Sequence, residues 1–296
     1  MGNILTKQFY RQREDFEDSC AGRDAGLTFP EGVICSTDIA YADDGIKAHV
    51  LDIYRPEDSQ EKILPVIINV HGGGLIIGNK EFNRYFCALL CKKGFLVYSI
   101  EYRLIPDCLI YDQLADVFMA MDYIKERLAA DGGDSSHVYM AGDSGGACLI
   151  TYANAIQNST NIARAANVTP SGLRINALGL ISGMFYTSRF DKIGLFLPKY
   201  LYGRDYKKTP FAKYVNPENR ELLNSLAPVW LVTSHNDFLR RYTTDFEKAL
   251  TRAEREHELV VFPKNKKLTH AFSVFEPFLP ESSAVIDMMV EYLRKF

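Results

Sequence analysis

Apolar residues along the chain form two kinds of segment. Short continuous apolar runs, such as residues 64–70, end in glycines and are typical of strands buried on both faces of a sheet. Longer segments with apolar residues at helical spacing, such as 112–130, lie between these runs. The pattern predicts strands at 33–41, 48–54, 64–70, 95–100, 138–141, 177–181, 229–233 and 259–262, and helices at 82–93, 112–130, 145–157, 243–256 and 282–295.

This alternation predicts an α/β fold, in which a mostly parallel central sheet carries helices on both faces. Residues 1–30 are polar and charged and favour a helix followed by a loop. Residues 183–226 interrupt the alternation, because they are rich in Phe, Tyr and Leu and contain prolines without clear periodicity. We therefore expect one domain over 1–296, with an N-terminal helical segment at 1–30 and a small lid insertion at 183–226.

Composition narrows the class of protein. The 296 residues are 47% hydrophobic and 24% charged, which suffices for a full core, and the net charge of -3 excludes a basic surface for nucleic acid. No run of about 18 apolar residues predicts a membrane span. Six cysteines without a CxxC pair, and an N-terminus without a secretory pattern, indicate a cytoplasmic protein. We expect a neutral or weakly polar small-molecule substrate, and a homodimer stays open.

A glycine-flanked serine follows one of the predicted strands. Residues 142–146 satisfy G-x-S-x-G between a predicted strand and a predicted helix, which is the context of a nucleophile elbow. Such a tight turn needs glycines, and it would expose the Ser144 hydroxyl at the helix N-terminus, where negative charge is favoured. Asp143 would then face away from the reacting side and have a structural role. An ordinary strand-to-helix turn remains the alternative.

A second glycine motif, His71-Gly-Gly-Gly, directly follows the strand predicted at 64–70. Glycines let backbone N–H groups approach a substrate oxygen without interference from side chains. Together with the N–H of Gly145, this loop predicts an oxyanion hole. A phosphate-binding loop is disfavoured, because neither G-x-x-x-x-G-K-[ST] nor G-x-G-x-x-G is present.

The serine requires a base, and the histidines differ in their places along the chain. His270 follows the last predicted strand, and the carboxyl ends of parallel strands form the working edge of such a sheet. His235 also follows a strand but lies two residues from the best candidate acid. The other four fit less well, since His49, His137 and His257 lie within or at the start of strands and His71 more plausibly braces the glycine loop.

The acid that orients the base should lie between serine and histidine in chain order. Asp237 follows the strand predicted at 229–233 and therefore lies at the same edge as the other two residues. Asp245 and Glu247 fall on the next predicted helix, where we expect them to be solvated. Ser144, Asp237 and His270 are thus the predicted triad.

These motifs together resemble the hormone-sensitive-lipase family of α/β-hydrolases, which includes many bacterial carboxylesterases and arylacetamide deacetylase. The resemblance implies the α/β-hydrolase fold, with Gly73 and Gly74 donating to the oxyanion together with Gly145. It has departures, since the family usually has Ala at Gly145 and Pro at Phe238. The matching motifs are His71-Gly-Gly-Gly, Tyr102-Arg-Leu-Ile-Pro106, Gly142-Asp-Ser-Gly-Gly, Asp237-Phe-Leu-Arg240 and His270-Ala-Phe272.

The triad and the resemblance predict a serine carboxylesterase that hydrolyses short-chain acyl esters through an acyl-enzyme, without a metal or organic cofactor. A deacetylase of acetylated sugars and an amidase or formamidase are alternatives on the same scaffold, and a catalytically silent binding protein is a third. Phe185 and Phe196 belong to the aromatic-rich insertion, and we expect them to line the substrate pocket and limit the acyl chain to about six carbons. Packing of these rings against the sheet is the alternative interpretation.

Overall fold

A computed structural model describes residues 2–59 and 62–296 of the chain. Within this part, eight strands form one sheet in the order β1-β2-β4-β3-β5-β6-β7-β8. The sheet is antiparallel at the β1–β2 edge and between β2 and β4, and parallel everywhere else. The strands are β1 (Val33–Ala40), β2 (Val50–Pro56), β3 (Leu64–Val70), β4 (Leu96–Ile100), β5 (Gly133–Asp143), β6 (Ala177–Ile181), β7 (Val229–Ser234) and β8 (His257–Phe262).

Helices cover both faces of the sheet. Successive residues of β3 point into two separate apolar cores. Ile68 packs in one core with α3 (Ile110–Arg127) and α4 (Ser144–Asn158). Ile67 packs in the other core with α2 (Arg84–Lys92) and α11 (Pro280–Leu293). The predicted fold class is therefore confirmed. The helices are α1 (Gly2–Asp24), α2 (Arg84–Lys92), α3 (Ile110–Arg127), α4 (Ser144–Asn158), α5 (Thr160–Ala166), α6 (Lys192–Phe196), α7 (Pro198–Leu201), α8 (Arg220–Asn224), α9 (Arg240–Arg252), α10 (Phe272–Phe275) and α11 (Pro280–Leu293).

Element boundaries differ from the predicted ones where the polar pattern is uninformative. β5 begins at Gly133, five residues before the predicted start, because its polar first half still pairs with β3 across an irregular register. The short helix α5 lies in a segment for which the pattern predicted no element. Residues 183–226 contain α6, α7, α8 and two short 3₁₀ helices and no strand, which agrees with the absence of clear periodicity there.

The sheet brings two glycine motifs together. β3 and β5 are parallel neighbours, and Val70 at the end of β3 pairs with Gly142 near the end of β5. The loop after β3 and the turn after β5 therefore lie side by side at the carboxyl edge. Within residues 2–59 and 62–296, no helix is both long and apolar enough to cross a membrane.

Candidate active site

Ser144 lies at the junction of β5 and α4 in a strained backbone conformation. Its φ of +49° is in the left-handed region, which costs a non-glycine residue roughly 1–2 kcal/mol and is concentrated at functional sites. The glycines on either side permit this turn. A Cβ at Gly142 would lie 2.5 Å from the carbonyl oxygen of Val70, and a Cβ at Gly146 would lie 2.2 Å from the same atom. The G-x-S-x-G pattern thus follows from close backbone contact with β3.

We expect Gly146→Ala to lower the free energy of unfolding by about 3 kcal/mol or more, because the new methyl group meets backbone carbonyls rather than a movable side chain. Urea denaturation measures this change. Gly22→Ala is the matched control, since no atom lies within 4 Å of its Cβ position and alanine is the better helix former. A Gly146→Ala protein as stable as the control would contradict the close contact.

The structure brings the three predicted residues into one hydrogen-bonded chain. His270 lies in the loop between β8 and α10, and its Nε2 is 2.9 Å from the Ser144 Oγ. Its Nδ1 is 2.7 Å from Oδ1 of Asp237. An ionised carboxylate can only accept, so the Nδ1 carries the proton and the Nε2 is left to accept from the serine hydroxyl.

Asp237 is buried, and its position is fixed by three donors. Besides His270, the Thr233 hydroxyl donates to it at 2.7 Å and the Leu239 N–H at 2.8 Å. Burial alone would raise the pKa of Asp237, but the hydrogen bonds and the charge of His270 outweigh it and hold this pKa below its ordinary value. Asp237 is therefore ionised throughout the neutral range.

Two of the five rejected histidines, His235 and His71, have other contacts. His235 Nδ1 accepts a hydrogen bond from the guanidinium of Arg240, at 2.8 Å, and does not contact Ser144. His71 is buried, with its Nε2 at 3.0 Å from a Glu101 carboxylate oxygen and its ring stacked on Tyr102 at 4.3 Å. Burial opposes the positive charge of His71, but Glu101 prevails and raises the pKa of this imidazole.

The glycine loop leaves backbone donors unused beside the serine. Gly73 and Gly74 have positive φ values of +102° and +62°, and a Cβ at Gly73 would lie 1.9 Å from the Ile77 carbonyl oxygen. In the part of the chain that the structure describes, their N–H groups donate to no acceptor. A Cβ at Gly145 would lie 2.9 Å from the Gly74 nitrogen, which places the first turn of α4 directly against the loop.

Asp143 connects the glycine loop to the elbow. The sequence motifs did not predict the hydrogen bonds that make this connection. Its buried carboxylate accepts from the Gly72 N–H and from the Asn83 side-chain amide, both at 3.0 Å. Burial raises the pKa of Asp143, against the effect of these hydrogen bonds. Asn83 precedes α2 and carries no recognisable sequence signal, so only the tertiary structure identifies it.

A cavity of about 620 Å³ opens over the serine. Its lining joins α1, the glycine loop, the 183–226 insertion and the loop that holds His270. Phe196 lies in the lining and is 57% exposed, whereas Phe185 is absent from it. The Phe185 ring is instead buried and stacked on Phe246 at 4.2 Å, which corrects the expectation that it lines the pocket. The lining contains the rings of Phe9, Phe16, Phe82, Phe196, Phe238 and Phe275.

Metal-ligating side chains do not cluster around this cavity. Across residues 2–59 and 62–296, no group of three or more His, Cys, Asp or Glu side chains could hold a metal ion. The polar lining beside Ser144 and His270 is limited to Gln12, Asp143 and Lys192.

A serine held in a strand–turn–helix elbow, beside a glycine loop and a histidine from the loop after the last strand, defines the α/β-hydrolase class. A family model described as "alpha/beta hydrolase fold" matches residues 67–273. The chain belongs to this family, the α/β-hydrolases of the hormone-sensitive-lipase type.

Individual relatives are more distant. The rice protein "Probable isoprenylcysteine alpha-carbonyl methylesterase ICME" (Oryza sativa subsp. japonica) is 29% identical over 184 residues, or 58% of this chain and 44% of its own length. "Tuliposide A-converting enzyme b1, amyloplastic" from Tulipa gesneriana is 30% identical over 131 residues, or 40% of this chain and 35% of its own. The chain thus spans less than half the length of either plant protein.

Among solved structures, esterase B from Lactobacillus Rhamnosis (HN001) has a very similar fold. The two superpose with a TM-score of 0.92, covering 99% of this chain and 95% of the esterase. Their sequences are 22% identical, so the comparison establishes the fold and leaves the chemistry to the residues of this chain.

Proposed function

We propose that this protein is a serine carboxylesterase. The observation that carries the proposal is the chain of contacts from Ser144 Oγ through the His270 imidazole to Asp237, at 2.9 and 2.7 Å. These are the distances at which a histidine can take the proton of a serine nucleophile. The relatives described as methylesterase and esterase support ester hydrolysis as the reaction.

The reaction proceeds in two halves. Ser144 Oγ attacks the ester carbonyl carbon and its proton passes to Nε2 of His270, while Asp237 holds the imidazole in the required tautomer. The tetrahedral oxyanion collapses, the bond to the alcohol oxygen breaks, and His270 protonates the departing alkoxide. Water, deprotonated by His270, then attacks the acyl-enzyme, and its proton finally returns to Ser144 as the carboxylic acid leaves.

Backbone donors stabilise the oxyanion in both halves. We assign this role to the N–H groups of Gly73, Gly74 and Gly145, because the first two have no acceptor among the described residues and the third lies in the first turn of α4. These donors are fixed before substrate arrives, so no reorganisation is needed during the reaction.

The test combines covalent labelling with a substrate panel. A fluorophosphonate probe should label Ser144, identified by peptide mass spectrometry, and the protein should hydrolyse p-nitrophenyl esters faster than acetylated sugars or an N-formyl amide. Preference for the sugar acetates would favour a sugar deacetylase over the carboxylesterase. Preference for the amide would favour an amidase or formamidase. Absence of both labelling and turnover would leave a binding protein on a hydrolase scaffold.

We predict that kcat/KM is highest for acetyl to butyryl esters and falls sharply beyond about six acyl carbons. The acyl and alcohol parts of the substrate share one cavity of about 620 Å³, whose walls carry six phenylalanine rings. Each methylene that fits contributes only about 0.8 kcal/mol, whereas steric exclusion ends the trend abruptly. A p-nitrophenyl series from C2 to C12 measures the limit, and efficient hydrolysis of the dodecanoyl ester would contradict it.

Phe196→Ala should move this limit to longer chains, because the ring lies in the cavity lining. Phe190→Ala is the matched control, since Phe190 belongs to the same insertion, is 92% exposed and lies outside the lining. The same limit in both variants would show that Phe196 does not set it.

The apolar lining also favours a second candidate, hydrolysis of the methyl ester of a prenylated cysteine. The plant relative is described as an isoprenylcysteine methylesterase, and a prenyl chain would fill a cavity walled by phenylalanines. Rates of hydrolysis of S-farnesyl-cysteine methyl ester and of cysteine methyl ester distinguish the two candidate functions. Strong preference for the farnesylated compound would favour the second candidate over a short-chain esterase.

The cellular setting and the organisation of the chain complete the proposal. All six cysteines are free, and five of them are buried, which favours a reducing compartment such as the cytoplasm.

We propose one domain over 1–296 whose lid is formed by residues 183–226 and by α1, because both contribute side chains to the cavity lining.

A further inference from the structure

One cation lies in an otherwise apolar part of the cavity lining. Lys192 begins α6 in the insertion, is exposed, and lies in the same lining as Ser144 and His270. In the described part of the chain it has no hydrogen bond, ion pair or ring contact. Its charge is therefore not paired with any carboxylate of the described residues.

The charged neighbours of Lys192 along the insertion are already engaged. The Asp191 carboxylate accepts from the Gly194 N–H at 3.0 Å and from the Tyr242 hydroxyl at 2.6 Å. Arg189 forms an ion pair with Asp245 at 2.9 Å. The contacts that fold this segment thus use Asp191 and Arg189 but leave Lys192 free to meet a ligand.

Other polar groups in the lining do not compensate the charge. Asp143 is the one carboxylate that belongs to the described lining, and the Gly72 N–H and the Asn83 amide hold its Oδ1. Gln12 enters the cavity from α1 and, like Lys192, has no partner in the described residues. An amide can donate a second hydrogen bond to whatever anion the lysine attracts.

We propose that Lys192 binds an anionic group of the substrate, so that the preferred substrates are carboxylic esters that carry a second, ionised acid. This inference rests on the proposed esterase function and names its substrate class. It also amends the expectation of an uncharged small molecule. A carboxylate in the cavity is attracted by the charge of Lys192 and accepts a charge-assisted hydrogen bond from its ammonium group, although water reaches the exposed Lys192 and screens part of the attraction.

The anion could be attached to the acyl part or to the alcohol part, and two pairs of esters separate these sources. Mono-p-nitrophenyl adipate, compared with neutral p-nitrophenyl adipamate, places the charge on the acyl side. The butyrate ester of 6-hydroxyhexanoate, compared with that of 6-hydroxyhexanamide, places it on the alcohol side, with released acid titrated in a pH-stat. Each pair differs in charge and is closely matched in size.

We expect the kcat/KM of the anionic member of one pair to exceed that of its neutral partner about threefold, which is the effect of one solvent-exposed ion pair. Lys192→Met should abolish this ratio and Lys192→Glu should invert it. Lys199→Met is the matched control, because Lys199 lies on the neighbouring helix α7 and outside the lining, and it should retain the wild-type ratio. The preference should also weaken as salt rises.

Failure of this inference can be distinguished from failure of the esterase proposal. Hydrolysis of all four esters with equal ratios in the wild type and Lys192→Met would overturn the role of Lys192 and leave the esterase intact. Calorimetric binding of the anionic ester of each pair to Ser144→Ala and to Ser144→Ala/Lys192→Met needs no turnover. Equal affinity of the two proteins for both anionic esters would overturn the inference even if no ester were hydrolysed.

Discussion

Ser144→Ala should lower kcat for ester hydrolysis by on the order of 10⁴-fold or more, because it removes the atom that attacks the carbonyl carbon. His270 and Asp237 would remain in place with no nucleophile to activate. Only the oxyanion donors and the binding cavity would then contribute to the rate. Steady-state turnover of p-nitrophenyl butyrate measures the loss, and retained activity within tenfold of the wild type would exclude Ser144 as nucleophile.

The variant should keep its fold. Alanine has the same backbone cost as serine at a φ of +49°, and among residues 2–59 and 62–296 the Ser144 hydroxyl forms a hydrogen bond only with His270. Loss of that bond should change the free energy of unfolding by about 1 kcal/mol. Ser283→Ala, on the exposed side of α11, is the matched control and should change neither stability nor turnover.

The arrangement of Ser144, Asp237 and His270 was accessible from the sequence because each residue lies in the turn or loop that follows a recognisable strand. In a parallel sheet every such position lies at the same edge, so chain order and strand ends suffice to place the residues near one another. The glycine motif could be placed for the same reason, since β3 and β5 are neighbours. Distances and donor atoms were not predictable, because they depend on loop conformations.

The lining of the cavity could not be predicted in the same way. Phe185 and Phe196 belong to one aromatic-rich segment, yet Phe185 is buried against Phe246 of α9 and Phe196 lies at the cavity. The direction of the Phe185 ring depends on packing against α9, which lies more than 40 residues away in the chain. Composition of the segment carries no information on that choice.

The contribution of α1 to the cavity lining was also not predicted from the sequence. The N-terminal segment predicted a helix, but nothing in its polar pattern indicated that Phe9 and Phe16 would line the site. Arg13 explains the position of this helix, because its guanidinium donates to the carbonyl oxygens of Ile76 and Ile105 in the loops after β3 and β4. Long-range side-chain contacts of this kind leave no periodic signal in a sequence.

His270→Ala should be as damaging as Ser144→Ala, whereas His235→Ala should leave most of the activity. The first removes the atom 2.9 Å from the Ser144 hydroxyl, so no base remains to accept its proton. His235 instead contacts Arg240 and lies outside the cavity lining. A panel of both variants on p-nitrophenyl butyrate compares them directly, and an inactive His235→Ala protein with an active His270→Ala protein would identify the other histidine as base.

The pH profile and Asp237→Asn test the role of the acid. Asp237 should add no step to the pH profile of activity in the neutral range, because hydrogen bonds hold its pKa below the ordinary value despite burial and the carboxylate is ionised there. Asp237→Asn should lower kcat by about 10⁴-fold, since an amide can donate to Nδ1 and stabilise the wrong tautomer. If Asp237→Asn kept wild-type turnover, the 2.7 Å contact between Asp237 and His270 would have no part in catalysis.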